Sequence, residues 1–333
     1  MDLAHGAAAA ILASLIAYAL LGGADFGGGV WDLLASGPRK SAQRKLIAKA
    51  IGPVWEANHV WLIVAIVVLF TAFPPAFAAV STALHIPLAL MLVGVVLRGA
   101  SFSFRSYGRT DAAEQARWGR VFGAASVVAP IFLGVVLGGV TAGRISVTDG
   151  VYAGGFFAAW LAPFPFAVGL FALALFSYLA AAYLAWEADG PELADDFRRR
   201  ALVSGAVAMI LSAAVYFLSY SGAPRFSRAF EGSPFTLPLQ LAAAAALLSA
   251  FGALWFRRYA EARYLAAAQT VIFILGWAAS IYPAIIPPDL LITNAAAPVA
   301  TLRLVAVALA AGSLVLVPSL VFLFRVFKSE GLD

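Results

Sequence analysis

Gly52-Pro53-Val54-Trp55-Glu56-Ala57-Asn58-His59-Val60-Trp61-Leu62-Ile63-Val64-Ala65-Ile66-Val67-Val68-Leu69-Phe70-Thr71-Ala72-Phe73 confines its ionisable groups to its first turns. From Val60 to Phe73 it carries none. About 20 mainly apolar residues suffice for a helix to cross a bilayer. Similar runs lie at Ala7–Val30, Phe77–Leu97, Val121–Ala142, Gly155–Trp186, Ala201–Tyr220, Leu237–Phe256, Tyr264–Tyr282 and Val299–Phe324, nine spans in all. The chain of 333 residues is 63% hydrophobic and 12% charged, with a mean hydropathy of +0.92. A water-soluble domain carries roughly a quarter charged residues, so lipid must solvate most of this surface. The absence of cysteine excludes disulfides, iron–sulfur clusters and thiolate metal sites, and three histidines leave little for a metal centre.

The expected fold is therefore an all-α integral membrane protein, a bundle of nine transmembrane helices in a single domain over residues 1–333. The first run is too long and lacks the basic flank of a signal peptide, so it is read as a span. The fifth run exceeds what a bilayer needs and contains Pro163 and Pro165, which points to an interfacial or tilted start. Alternate loops and span ends on one side hold 18 Lys and Arg residues, against four on the other: Arg144, Arg225, Arg228 and Arg303. The positive-inside bias then puts the N-terminus in the periplasm and the C-terminus in the cytoplasm, with Ser41 cytoplasmic and Thr148 periplasmic. The same bias accounts for a pI near 9.6 without a nucleic-acid partner.

Ionisable groups within spans are costly and mark functional positions by default. Asp25 lies near the inner end of the first span, Glu56 and His59 in the opening turns of the second, and Arg98 at the inner end of the third. All four are expected at one depth, Glu56 and His59 sharing a helix face. Such a group could form a proton-entry funnel or a structural ion-pair cluster with Arg98. The glycines around Asp25, Gly22-Gly23-Ala24-Asp25-Phe26-Gly27-Gly28-Gly29, imply close helix approach or a local break. His59 and His85 could bracket a haem across a hairpin at Phe73-Pro74-Pro75, but heights differing by roughly 7 Å would suit one iron poorly. Trp55 and Trp61 bracket the Glu56–His59 face. Most other tryptophans fit interfacial anchoring.

Several of these stretches resemble subunit II of the bd-type quinol oxidases: Ala24-Asp25-Phe26-Gly27, Gly52 to Ile63, Phe70-Thr71-Ala72-Phe73-Pro74, Leu97-Arg98-Gly99 and Phe104-Arg105-Ser106. Later, Tyr282-Pro283, Ile286-Pro287, Leu291 to Ala296 and Leu316-Val317-Pro318 fit the same family. The resemblance implies a haem-free subunit of a bacterial inner-membrane enzyme that oxidises quinol and reduces dioxygen to water. It implies a haem-bearing subunit I as partner, with haem b and haem d held there, and leaves room for a structural quinone here. No catalytic residue or metal site is expected on this chain. Asp25 and Glu56 fall on acidic positions associated with cytoplasmic proton uptake, with His59 and Arg98 beside them, and Trp61 falls near the dioxygen route. This chain departs from the usual Asp-Gly-Asn motif with Glu56-Ala57-Asn58-His59, and His85 stands where an aromatic is commoner. A secondary transporter or a purely structural scaffold are the competing readings, although no inverted repeat supports a transporter.

Overall fold

The computed structural model describes residues 2–52, 54–107, 111–148, 151–232, 234 and 236–328; Pro53 and Arg109 of the stretches read above lie outside them. The elements are α1 (Leu3–Leu33), α2 (Lys40–Ile51), α3 (Trp55–Asn58), α4 (Val60–Ala72), α5 (Pro74–Ala83), α6 (His85–Tyr107) and α7 (Ala112–Thr141). They continue with β1 (Val147–Thr148), β2 (Val151–Tyr152), α8 (Pro163–Glu187), α9 (Pro191–Gly222), α10 (Pro224–Gly232), α11 (Thr236–Trp255), α12 (Tyr259–Ile281), β3 (Ala284–Ile286), β4 (Leu290–Leu291) and α13 (Val299–Lys328). Among the described residues nine helices are long and apolar enough to span a membrane, with α3 and α4 together forming the second.

Four span starts differ markedly from the sequence reading, each for a local reason. The third span begins at His85 and not at Phe77. Pro74 and Pro75 open a separate short helix, since proline suits a helix start, and this helix ends at Leu84. The fifth span begins at Pro163, residues 156–162 being turns and bends, since proline suits a helix start. At the arginine-rich end α7 and α9 start nearly three turns before their expected spans. Polar first turns, capped in α7 by the Asp111 side chain accepting from the Ala113 amide at 3.0 Å, carry them past the apolar zone.

Helix α8 is the centre of the bundle, packed by α1, α7, α9 and α12. The α1–α8 seam is close because glycine permits it. A Cβ on Gly27 would stand 2.0 Å from the Phe176 carbonyl oxygen and 2.7 Å from Ala180 Cβ. The glycines thus serve close approach, and α1 stays unbroken through them. Just past them, Trp31 Nε1 donates to the Ser177 carbonyl at 2.8 Å.

Ion pairs fasten the arginine-rich end. Arg105 of α6 forks onto the buried Asp32 carboxylate at 2.8 and 3.1 Å, and Arg39 forks onto Asp196 of α9 at 2.8 and 2.7 Å. Asp195 collects Arg198, Arg257 and Tyr259. At the opposite end β1–β2 and β3–β4 are short antiparallel hairpins. Asn294 shapes the second by accepting from the Leu291 amide at 2.7 Å and donating to the Asp289 carbonyl at 3.0 Å, and the Ala297 amide ties this loop to the Ala72 carbonyl at the end of α4.

Candidate functional site

Asp25 reaches the interior because α1 presses its glycine face on α8, leaving a carboxylate one or two turns from the end of the helix only 6% exposed. Burying a charge demands compensation. Asn58, the last residue of α3, supplies part of it, its Nδ2 donating to Asp25 Oδ2 at 2.8 Å. Arg98, 1% exposed on α6, supplies more. Its Nη2 donates to the Asp25 backbone carbonyl at 3.1 Å, its charge acts on the Asp25 carboxylate, and its guanidinium lies between the Phe26 and Phe122 rings at 5.1 and 5.2 Å. A guanidinium is well suited to this setting, being weakly hydrated and able to stack on rings.

Between α3 and α4 the second span carries a one-residue irregularity at His59, whose backbone stays in the helical region. His59 turns toward α1: its Nδ1 is 3.3 Å from the Tyr18 hydroxyl, and its ring lies edge-on to Phe26 and Trp55. Glu56 is exposed on the outside. The structure therefore gathers Asp25, His59 and Arg98 but not Glu56. Among the described residues no ion pair joins Glu56 to Arg98, whose guanidinium donates to the Asp25 carbonyl. Trp61 is half-buried and packs with Leu62 against Tyr18, Phe26 and Ala129.

Two further positions belong to this site, Tyr183 and Glu187. A cavity of about 80 Å³ is lined by Asp25 and Asn58 at one part and by Tyr183 and Glu187 of α8 at another, with Leu20, Ala24 and Ile51 among its apolar walls. Glu187 is the last residue of α8, so the cavity connects the buried carboxylate with the arginine-rich end. The sequence signal for this was the spacing Ala180, Tyr183, Glu187, one helical face carrying a small residue, a phenol and an acid. Among the described residues Asn58 Oδ1, His59 Nε2, Trp61 Nε1 and Arg98 Nε are buried with no hydrogen-bond partner. Such groups are the kind that ordered water bridges; of these four residues Asn58 lines the cavity, which has room for several waters.

The residues present do not fit a shared haem. His59 stands at the arginine-rich end of α4 and His85 at the opposite end of α6, and α4 alone is about 20 Å long. His85 is exposed, with Nδ1 2.9 Å from the Thr82 carbonyl. His5 lies 3.7 Å from Asp2 near the N-terminus. Among the described residues no group of three or more metal-binding side chains could hold an ion.

Comparison with known proteins agrees with this architecture. The bd oxidase from Geobacillus thermodenitrificans superposes with a TM-score of 0.80 over 98% of this chain and 99% of that one, at 20% identity, which speaks for the fold. Cytochrome bd-I ubiquinol oxidase subunit 2 of Escherichia coli (strain K12) is 30% identical over 201 residues, 59% of this chain and 52% of that protein. Cytochrome bd ubiquinol oxidase subunit 2 of Bacillus subtilis (strain 168) is 31% identical over 122 residues, 36% of this chain and 35% of that protein. The matched regions thus span about half or less of these relatives' length. The family profile described as cytochrome bd terminal oxidase subunit II matches residues 3–327, and on that match the chain belongs to the cytochrome bd terminal oxidase subunit II family.

Proposed function

We propose that this chain is the haem-free subunit of a quinol-oxidising, dioxygen-reducing complex, that it supports assembly of a haem-bearing subunit I, and that it brings protons to it from the cytoplasm. Reduction of one dioxygen to two waters consumes four electrons, supplied by two quinols, and four protons. The electron chemistry belongs to the haems of the partner; this chain's own residues hold and pass protons. The arginine-rich end faces the cytoplasm of a bacterial inner membrane, in accord with the positive-inside bias.

The observation that carries this reading is the cavity joining Glu187 to the Asp25–Asn58 pair. Glu187 collects protons at the surface, water and the Tyr183 hydroxyl bridge the apolar stretch, and Asp25 receives them inside. Arg98 keeps the Asp25 carboxylate tolerable when ionised, and Asn58 orients it. Glu56 lies on the outer face with Ile63, Val67 and Phe70, all exposed, and this face is where subunit I docks. His59, between Asp25 and that face, is placed to relay.

In the assembled complex Asp25→Asn preserves size and the Asn58 contact but cannot ionise. Haem content should stay normal while oxygen consumption falls roughly 100-fold, the scale of a lost proton-transfer group. Loss of haem together with rate would show a structural role only, and full activity would reject the route. Orientation is tested separately in this cysteine-free chain: an impermeant thiol reagent on intact cells should label Thr148→Cys and spare Ser41→Cys, and the reverse pattern would invert the topology.

A further inference from the structure

We propose that a cleft between α2 and the end of α6 binds the headgroup of one anionic phospholipid. The cleft is a groove open to the surface, and its wall carries Lys40, Arg44, Lys45 and Arg105 with the Ser41 hydroxyl. Asp32, whose side chain is only 2% exposed, accepts from Arg105 through two N–H groups and lies 3.9 Å from Arg44 Nε. Arg44 gives its Nε and Nη2 to the Asp32 carbonyl at 3.3 Å. Among the described residues Lys40 and Lys45 have no carboxylate partner. Arg105 and Arg44 share the Asp32 carboxylate at 2.8 and 3.9 Å, which leaves Lys40 and Lys45 as the two cations of this wall without an acid, side by side with two guanidinium groups that have N–H donors to spare.

The chemistry asked for is a phosphodiester, whose oxygens match guanidinium forks, ammonium groups and a hydroxyl. The level of the cleft selects a lipid over a soluble phosphate. Arg105 directly follows Phe104, which is half exposed and stacks on Trp118 at 4.7 Å, an aromatic pair of the kind that sits at headgroup depth. Exposed Leu97, two helical turns further into the span on α6, continues an apolar flank from Phe104 for an acyl chain. Basic pockets between spanning helices at this depth are suited to anionic headgroups. The inference stands on the cleft itself and does not depend on the proton route.

The test is native mass spectrometry of the complex, purified with its partner and titrated in detergent with phosphatidylglycerol. The wild type should retain one phosphatidylglycerol, and Lys40→Gln/Lys45→Gln should weaken that retention roughly 20-fold, as expected for two interfacial cations. Lys49→Gln removes one exposed charge of the same helix outside the cleft and should leave retention unchanged. Phosphatidylcholine, which has the phosphate but no net charge, should bind no better to the wild type than to the double variant. Equal phosphatidylglycerol retention by wild type and double variant would overturn the proposal. So would inorganic phosphate displacing the lipid at equal concentration, which would mark the cleft as a soluble-anion site.

Discussion

Helices α8 and α13 are both 25-residue spans by apolarity, and α13 is the more apolar of the two, yet 72% of the most apolar stretch of α8 is buried and none of that of α13. In water the order would be reversed, because the hydrophobic effect drives the greasier helix inward. In lipid that drive between helices vanishes, and small residues, close backbone contact and buried polar bonds decide which helix becomes central. Helix α8 has Gly169, Ser177 and the run Ala180-Ala181-Ala182, and it receives the glycine face of α1. Helix α13 presents Leu304, Val307, Leu314 and Phe322 outward and packs chiefly on α1 and α4. The same division separates the two acids: Asp25 is in the seam, Glu56 on the outer face.

The sharpest way to break this comparison is a single methyl group in each region. Gly27→Ala puts its Cβ into the α8 backbone, which no rotamer change relieves, so the helices must part. A loss of about 3 kcal/mol and of assembled complex is expected, read as yield and thermal stability in detergent. If Gly27→Ala assembled normally, the α1–α8 contact would be looser than described.

An intermediate effect is expected at Glu56. Glu56→Gln should leave haem content intact and slow oxygen consumption less than Asp25→Asn, because Glu56 lies on the outer face and not on the cavity that leads to Asp25. A larger loss than that of Asp25→Asn would reverse the roles of seam and face. Retention of full rate would remove Glu56 from the proton route.

The smallest effect belongs to Gly312→Ala in α13, where an added Cβ meets nothing within 4 Å. Helix propensity alone should make this change neutral or stabilising by up to about 1 kcal/mol. Failure to copurify with haem would sharpen the comparison differently, locating the partner against α13.

The sequence by itself determined the number of spans, the sorting of charge between their ends and the residue types of the site, because each is set by a one-dimensional property. A span is a run of about 20 apolar residues, and an arginine counts toward its loop whatever it touches. Asp25, His59 and Arg98 were legible as intramembrane ionisable groups, and the glycines as close approach. Only the tertiary structure decided that His59 turns inward while Glu56 faces out. That outcome rests on the contacts His59 makes with Tyr18, Phe26 and Trp55, which the pattern of a single helix does not reveal. Nor could the sequence pair Arg98 with Asp25 in place of Glu56, or join Glu187 to Asp25 across 162 residues of chain, since these depend on which helices adjoin. In a lipid-solvated bundle, adjacency is fixed by the fit of small residues and buried polar contacts, and hydropathy, which is nearly uniform over nine spans, holds little record of it.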